Sequence, residues 1–171
     1  IVLMETIEKG IEHNPMLVTQ KMQYALRAVY ELAKRRGQGP LKTSQIAEAQ
    51  AIPVRFLEVI LNRLKREGLV SAKRGFYGGY QLKRSPLNVS VGDVFRAIED
   101  SPDSTGCVSC INECNCPFHG DCSFIPLWTQ VQKAIDDIYD RTTIQCLLNH
   151  ETSASRDLLY CIPAKNEVRA D

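Results

Sequence analysis

Three helical patterns followed directly by a glycine-rich hairpin are the feature that most constrains how this chain folds. Residues 19–36 and 53–68 place apolar side chains at intervals of three and four, which puts them on one face of an α-helix. Between them, Thr43 or Ser44 is predicted to cap a short helix that ends near residues 49–51. The predicted buried stripes are Ala25, Ala28, Val29 and Leu32 in the first helix and Leu57, Ile60, Leu61 and Leu64 in the third.

Two short strands are predicted after the third helix, at residues 69–73 and 80–83. The residues that join them include Gly75, Gly78 and Gly79, which suits a hairpin tip that needs positive φ. Three helices followed by a hairpin are typical of a winged helix-turn-helix domain. The predicted fold class is therefore mainly α with a small β-hairpin wing.

The second half of the chain predicts two further helical regions separated by cysteines. Ser90 and Asp93 have the spacing of a capping box, and the helix after them carries an apolar face. A long helix is predicted over residues 125–149. Its apolar face consists of Leu127, Val131, Ala134, Ile135 and Ile138, with Leu147 and Leu148 further on.

Charge is distributed unevenly along the chain. Residues 16–85 contain 14 basic and 4 acidic side chains, a net of +10, whereas the remainder contains 7 basic and 16 acidic side chains, a net of −9. A basic half joined to an acidic half indicates a module that binds a polyanion. Solvated basic faces are the alternative interpretation, and charge alone does not decide between them.

The predicted fold places specific side chains against double-stranded DNA. In a winged helix-turn-helix the third helix enters the major groove and the hairpin contacts the adjacent backbone or minor groove. Arg55 lies in the first turn of that helix, and Glu58 can accept a hydrogen bond from cytosine N4. Phosphate contacts are expected from basic residues, which dominate affinity without giving specificity. These are Arg63, Lys65, Arg66, Lys73 and Arg74.

Two of these assignments have alternatives that the residues leave open. Phe56 suits a core position as well as a base contact, and Glu58 suits an ion pair with Arg55 or a contact with Asn62 on the helix surface.

Five of the seven cysteines lie between residues 107 and 122. Three of them, Cys110, Cys116 and Cys122, follow the spacing C-x5-C-x5-C, and the segment also holds Cys107, Cys114 and His119. Thiolates at this density favour zinc, cuprous copper or iron–sulfur clusters. A tetrahedral zinc site and a redox-active disulfide are the alternatives to a cluster.

Several sequence motifs, taken in order, resemble the IscR/NsrR-type (Rrf family) bacterial transcriptional regulators. The resemblance runs over about residues 16–149 and is carried mainly by Leu69-Val-Ser-Ala-Lys-Arg-Gly, by Gly78-Gly79-Tyr80-Gln-Leu and by the cysteine triplet. It implies a homodimer, a long C-terminal dimerisation helix and a cluster-binding loop that tunes operator binding. It also matches Arg55, Phe56 and Glu58 to recognition-helix contacts and Arg74 to the wing arginine.

The resemblance further implies that Cys110, Cys116 and Cys122 ligate a [2Fe–2S] cluster, or a four-iron cluster as in the nitric-oxide sensors. The chain departs from the family at the fourth ligand: Ile125 stands where one branch has His, and Gln23 where another has an acidic residue. Cys107 is the preferred substitute, because it lies at the loop entrance. Cys114, His119 and a residue of the partner subunit remain alternatives.

The expected organisation has five parts, and the expected activity is regulatory rather than enzymatic. The chain is predicted to sense iron–sulfur, redox or nitric oxide status. Its predicted location is the cytoplasm, since the sequence shows neither a secretory signal nor an apolar run near the roughly 18 residues that span a bilayer. An iron–sulfur electron carrier is the competing class. The parts are an extension (1–15), the winged helix-turn-helix domain (16–100), the cysteine loop (101–124), the dimerisation helix (125–150) and a tail (151–171).

Overall fold

A computed structural model describes residues 18–99 and 122–152, with side chains to residue 150. The predicted extension, most of the cysteine loop and almost all of the tail lie outside the described residues. The same holds for the predicted ligands Cys107, Cys110 and Cys116 and for the alternatives Cys114 and His119.

The described residues are mainly helical with one antiparallel two-stranded hairpin, which confirms the predicted fold class. No helix among them is long and apolar enough to cross a membrane. The elements are α1 (Gln20–Lys34), α2 (Thr43–Gln50), α3 (Val54–Arg66), β1 (Val70–Lys73), β2 (Gly79–Leu82), a 3₁₀ turn (Pro86–Asn88), α4 (Val91–Ile98), α5 (Ile125–Arg141) and α6 (Ile144–Thr152).

Helix α1 lies at the centre of the core and packs against α2, α3, α4, α6 and β2. The stripes predicted for α1 and α3 are buried, which confirms them. One buried residue of α1 is charged: Glu31 accepts hydrogen bonds from Arg35 at 2.7 Å and from Gln50 of α2 at 2.8 Å. These bonds satisfy a carboxylate that would otherwise be costly to bury, and they fix α2 against α1.

One of the two helix caps predicted from the sequence is confirmed, and a third cap, at Thr19, was not predicted. Thr19 caps α1, and Ser90 and Asp93 form the predicted capping box of α4 with bonds of 3.0 and 3.1 Å. The prediction that Thr43 or Ser44 caps α2 is wrong. Lys42 is the cap residue, and its side chain makes no capping hydrogen bond. Its backbone N–H donates to the side chain of Gln45 at 2.8 Å, which is the bond that the third helical residue of a capping box makes back to the cap.

The hairpin that forms the wing is attached to the helical core through Leu41. Strands β1 and β2 pair from Val70 with Leu82 to Lys73 with Gly79. Leu41 and Tyr80 exchange backbone hydrogen bonds of 2.8 and 2.7 Å on the other side of β2. This close approach requires a glycine at position 79, because a Cβ there would lie 2.3 Å from the Leu41 carbonyl oxygen.

The prediction of one long C-terminal helix over residues 125–149 is wrong, since the segment forms two separate helices, α5 and α6. The chain leaves helical geometry at Thr142, whose carbonyl accepts a hydrogen bond from Val91 N–H at 2.9 Å. Ile144 then donates its N–H to Val89 and buries its side chain completely. The break occurs because these bonds and the burial of Ile144 draw α6 into the helical core.

Replacement of Gly79 by Ala should lower the free energy of unfolding by about 1–3 kcal/mol, because backbone atoms of Leu41 or of the wing must move to admit the Cβ. Urea denaturation measures this difference. The matched control is Gln81→Ala, an exposed position on the same strand, where we expect a change within about 0.5 kcal/mol. Equal stability of the two variants would contradict the steric account.

Candidate nucleic-acid interface

Helix α3 has one buried face and one exposed face. Leu57, Ile60, Leu61 and Leu64 pack into the core, while Arg55, Phe56, Glu58 and Val59 are exposed. Phe56 and Val59 are each 64% exposed, which is unusual for large apolar side chains. The core alternative for Phe56 is therefore wrong, and its side chain is accessible to a partner.

The N-terminal turn of α3 presents its polar side chains without internal partners. Arg55 and Glu58 are both exposed, and in the described part of the chain they form no ion pair with each other. The ion-pair alternative for Glu58 is thus not what the structure shows. Side chains that are charged, exposed and unpaired at a helix N-terminus are available to bind polar groups of a ligand.

Arg63 differs from the other basic residues of α3, since its guanidinium group is used inside the protein. Its Nε donates to the carbonyl of Ala97 at 2.8 Å, and its Nη2 donates to the carbonyl of Glu99. Both carbonyls lie at the C-terminal end of α4, where helical carbonyls lack partners in the helix. A contact between Arg63 and a phosphate would have to replace these bonds, whereas Lys65 and Arg66 remain exposed.

The wing carries exposed basic side chains at Lys73 and Arg74, and their contact with DNA stays a prediction. Its tip also carries Phe76 and Tyr77, at 80% and 82% exposure, for which no role was predicted from the sequence. A sequence signal existed: two consecutive aromatic residues lie in a glycine-flanked turn, where small polar residues are usual.

A cluster of charged and aromatic side chains joins α4 to α5. Arg96 binds Asp140 of α5 at 2.7 Å and Asp93 of its own helix at 3.1 Å, and the rings of Phe95 and Tyr139 meet edge to face at 4.9 Å. Burial raises the pKa of Asp93, but hydrogen bonds from Ser90 and Arg96 outweigh it, so the pKa lies below its ordinary value.

The two elements that follow and precede the cysteine loop therefore touch each other. Burial, and then the neighbouring charge of Asp136 on α5, raise the pKa of Glu99 at the end of α4. The C-terminal end of α4 is therefore close enough to α5 for this repulsion to act on Glu99.

Cys122 is the one predicted cluster ligand within the described residues. It has a free, half-buried thiol, and its carbonyl accepts a hydrogen bond from Ile125 N–H at 3.1 Å as α5 begins. The described ranges contain no group of three or more His, Cys, Asp or Glu side chains that could hold a metal. Because the other predicted ligands lie outside those ranges, the ligand set stays a prediction.

In the regulators that this chain resembles, the fourth ligand stands at one of two positions, which Ile125 and Gln23 occupy here. Neither residue is an ordinary metal ligand. Ile125 is the first residue of α5 and is 41% exposed, and its hydrocarbon side chain has no donor atom. Gln23 lies on α1 and is exposed, and its side-chain amide donates to the Val18 carbonyl at 3.2 Å. The thiols and His119 of the loop are the remaining candidates on this chain.

Comparison with known proteins decides the family. Residues 18–150 match Rrf2, a family of iron-dependent transcriptional regulators. The chain belongs to the Rrf2 family. An HTH-type transcriptional regulator of Neisseria meningitidis is 32% identical over 138 residues, which cover 81% of this chain and 91% of the relative. The IscR regulator of Pectobacterium carotovorum is 32% identical over 136 residues, covering 80% and 81%.

Solved structures of Rrf2 regulators share the fold. IscR of T. potens superimposes with a TM-score of 0.65 at 29% identity, covering 85% of this chain and 96% of that protein. CymR, the global cysteine regulator of B. subtilis, gives a TM-score of 0.66 at 28% identity, covering 79% and 98%. This chain is accordingly a transcriptional regulator of the winged-helix type.

Replacement of Arg63 by Ala should lower the free energy of unfolding by about 1–3 kcal/mol, because it leaves the carbonyls of Ala97 and Glu99 without their charged donor. Replacement of the exposed Arg55 on the same helix is the matched control and should change stability by less than about 0.5 kcal/mol. Urea denaturation of the two variants separates these roles. An Arg63→Ala protein as stable as Arg55→Ala would show that the bonds to α4 carry no net stabilisation.

Proposed function

We propose that this Rrf2 regulator binds double-stranded operator DNA as a homodimer in the cytoplasm and that a cysteine-ligated iron–sulfur cluster controls its affinity. The observation that supports DNA binding best is the exposed, unpaired N-terminal turn of α3 beside a basic wing. Helix-turn-helix proteins place that turn in the major groove. The activity is binding, without a catalytic step.

The proposed contacts divide into base recognition and positioning. Arg55 and Glu58 recognise base edges, and Phe56 makes apolar contact with them in the major groove. Lys73 and Arg74 contact the backbone and the minor groove from the wing, where charge neutralisation supplies affinity. Arg63 acts first by orienting α3 through α4, and it reaches a phosphate only if its bonds to α4 are released.

Helix α5 is the proposed dimerisation element. No residue of this 17-residue helix is buried. Even Leu127 and Ile138, which belong to its apolar stripe, are 51% and 49% exposed. An apolar stripe of this length is stabilised when a second copy covers it. A two-fold dimer then presents two copies of α3 to successive major grooves, about 34 Å apart.

The proposed sensor group is bound by the thiolates of Cys107, Cys110, Cys116 and Cys122. A [2Fe–2S] cluster is favoured over a four-iron cluster, and zinc is the alternative metal. The spacing of the three later cysteines, the free thiol of Cys122 and the similarity to IscR regulators support this assignment. When bound, the cluster supplies a centre that responds to redox change or nitric oxide.

A thiol-based switch without a metal is the second candidate. The similarity to CymR supports it, since that regulator is named for cysteine and a Staphylococcus aureus relative has been solved in an oxidised form. In this case two of the loop thiols form a disulfide, which alters the same segment.

Either sensor acts through the two elements that flank the loop. Upstream, the carbonyl of Glu99 is bonded to Arg63 of α3, and downstream, the carbonyl of Cys122 accepts a hydrogen bond from the N–H of Ile125, the first residue of α5. A change of loop structure therefore reaches the recognition helix and the dimer helix together. A coupling free energy of about 1–3 kcal/mol is sufficient for such regulation.

DNA binding is tested by selecting duplexes from a random-sequence pool with the full chain and measuring affinity by fluorescence anisotropy across a salt series. We expect affinity to fall steeply with salt, and the slope of log affinity against log salt to decrease by about one in Arg74→Ala. Arg55→Ala should relax base preference at one position, at a cost of about 1–3 kcal/mol. Salt-independent binding, or no selected sequence, would contradict the proposal.

The sensor is tested by anaerobic purification of the full chain, followed by visible absorption spectroscopy and assay of iron, acid-labile sulfide and zinc. We expect a coloured protein with iron and sulfide, whose spectrum is lost in Cys116→Ser and altered in Cys107→Ser. Cys114→Ser is the control and should leave the spectrum unchanged. A colourless protein with stoichiometric zinc would contradict the cluster proposal and support the zinc site. A metal-free protein that forms a loop disulfide would contradict it and support the thiol switch.

A further inference from the structure

The tip of the wing is a tight turn with two aromatic residues at its outermost positions. Gly78 donates its N–H to the carbonyl of Gly75 at 2.9 Å, so Phe76 and Tyr77 are the two central residues of a β-turn. They are 80% and 82% exposed, the highest values among the exposed large apolar residues of the described ranges.

The turn backbone is built to hold these residues outward. Gly75 has φ of 108°, a conformation that other residues rarely adopt. Gly78 is equally constrained, since a Cβ there would lie 2.3 Å from the carbonyl oxygen of Lys73. The glycines therefore close the turn, and among the described residues no segment covers Phe76 and Tyr77.

The two rings are ordered relative to each other and to the helical domain. Their centroids are 5.1 Å apart with an interplanar angle of 87°, an edge-to-face arrangement. The Nζ of Lys42, at the start of α2, lies 5.0 Å from the centroid of the Phe76 ring. The aromatic pair thus projects from the wing in a preorganised position.

The charge around Phe76 and Tyr77 indicates which kind of surface suits this aromatic pair. Residues 69–85 contain four basic side chains and no acidic one, and Lys42 adds a fifth positive charge beside the ring. An exposed apolar tip surrounded by positive charge fits a polyanion that also offers apolar surface. The minor groove of DNA does so, because its phosphates flank sugars and base edges.

We propose that Phe76 and Tyr77 enter the minor groove of the operator as an apolar wedge and partly unstack one base step. The inference rests on the proposed function, which assigned the wing only its basic contacts. Side chains of this type separate base steps in several minor-groove-binding proteins. Lys42 holds the Phe76 ring in position and adds positive charge at the groove edge.

The test uses the full chain and a duplex that the unaltered protein has selected from a random-sequence pool. Affinity is measured by anisotropy across a salt series for the double variant Phe76→Ala/Tyr77→Ala. We expect affinity to fall about tenfold at every salt concentration with an unchanged salt slope, because apolar contacts release no counterions. Arg74→Ala, in contrast, changes the slope.

A second measurement reports on the base step itself. Adenines of the selected duplex are replaced one at a time by 2-aminopurine, whose fluorescence rises when its stacking is lost. We expect a rise at one or two adjacent positions with the unaltered protein and its loss with the double variant. Leu87→Ala is the control, since Leu87 is an apolar side chain of 63% exposure outside the hairpin, and it should change neither measurement.

The outcomes separate the two proposals. If the unaltered protein selects a duplex with salt-dependent affinity but the double variant binds it equally well, the wedge is overturned and the proposed function stands. If the double variant binds less tightly with the slope change of Arg74→Ala and no change in 2-aminopurine signal, the tip acts through charge placement and the wedge is again overturned. If no duplex is selected, both proposals fail.

Discussion

The packing of other elements on the apolar face of α1 is the interaction on which the rest of the described structure depends. Ala25 and Ala28 are fully buried, and their small side chains let the surrounding helices approach closely. Since α2, α3, α4, α6 and β2 all pack against α1, this face fixes which side of α3 is buried. The exposed side, with Arg55 and Phe56, is a consequence of that packing.

The bonds from Arg63 to the end of α4 extend this packing to the residues just before the cysteine segment. A charged donor on the recognition helix satisfies the carbonyls of Ala97 and Glu99, directly before the cysteine loop begins. On the other side of the loop, Arg96 and Asp140 hold α5 against α4. The helix proposed to contact DNA and the helix proposed to form the dimer are therefore connected through α4, which directly precedes the cysteine segment in sequence.

Local sequence patterns predicted the fold because apolar spacing and glycine placement act over a few residues. They predicted the buried stripes of α1 and α3 and the Ser90–Asp93 cap, but they missed the break at Thr142. That break depends on Val89 and Val91, about fifty residues away, whose pairing no local pattern contains. The assignment of Arg63 to a phosphate shows the same limit, since its bonds to α4 are tertiary. The wing-tip aromatics were visible in the sequence, but only the structure shows them exposed and paired.

Hydroxyl-radical oxidation of side chains, read by mass spectrometry with and without the selected duplex, tests most directly whether α3 and the wing form one DNA-binding surface. Exposed aromatic residues report on each region: Phe56 on α3, Phe76 and Tyr77 on the wing, and Phe124 before α5. The account predicts that DNA protects Phe56, Phe76 and Tyr77 together and leaves Phe124 as reactive as before. Protection of Phe124 alone, with unchanged oxidation of α3 and the wing, would contradict it.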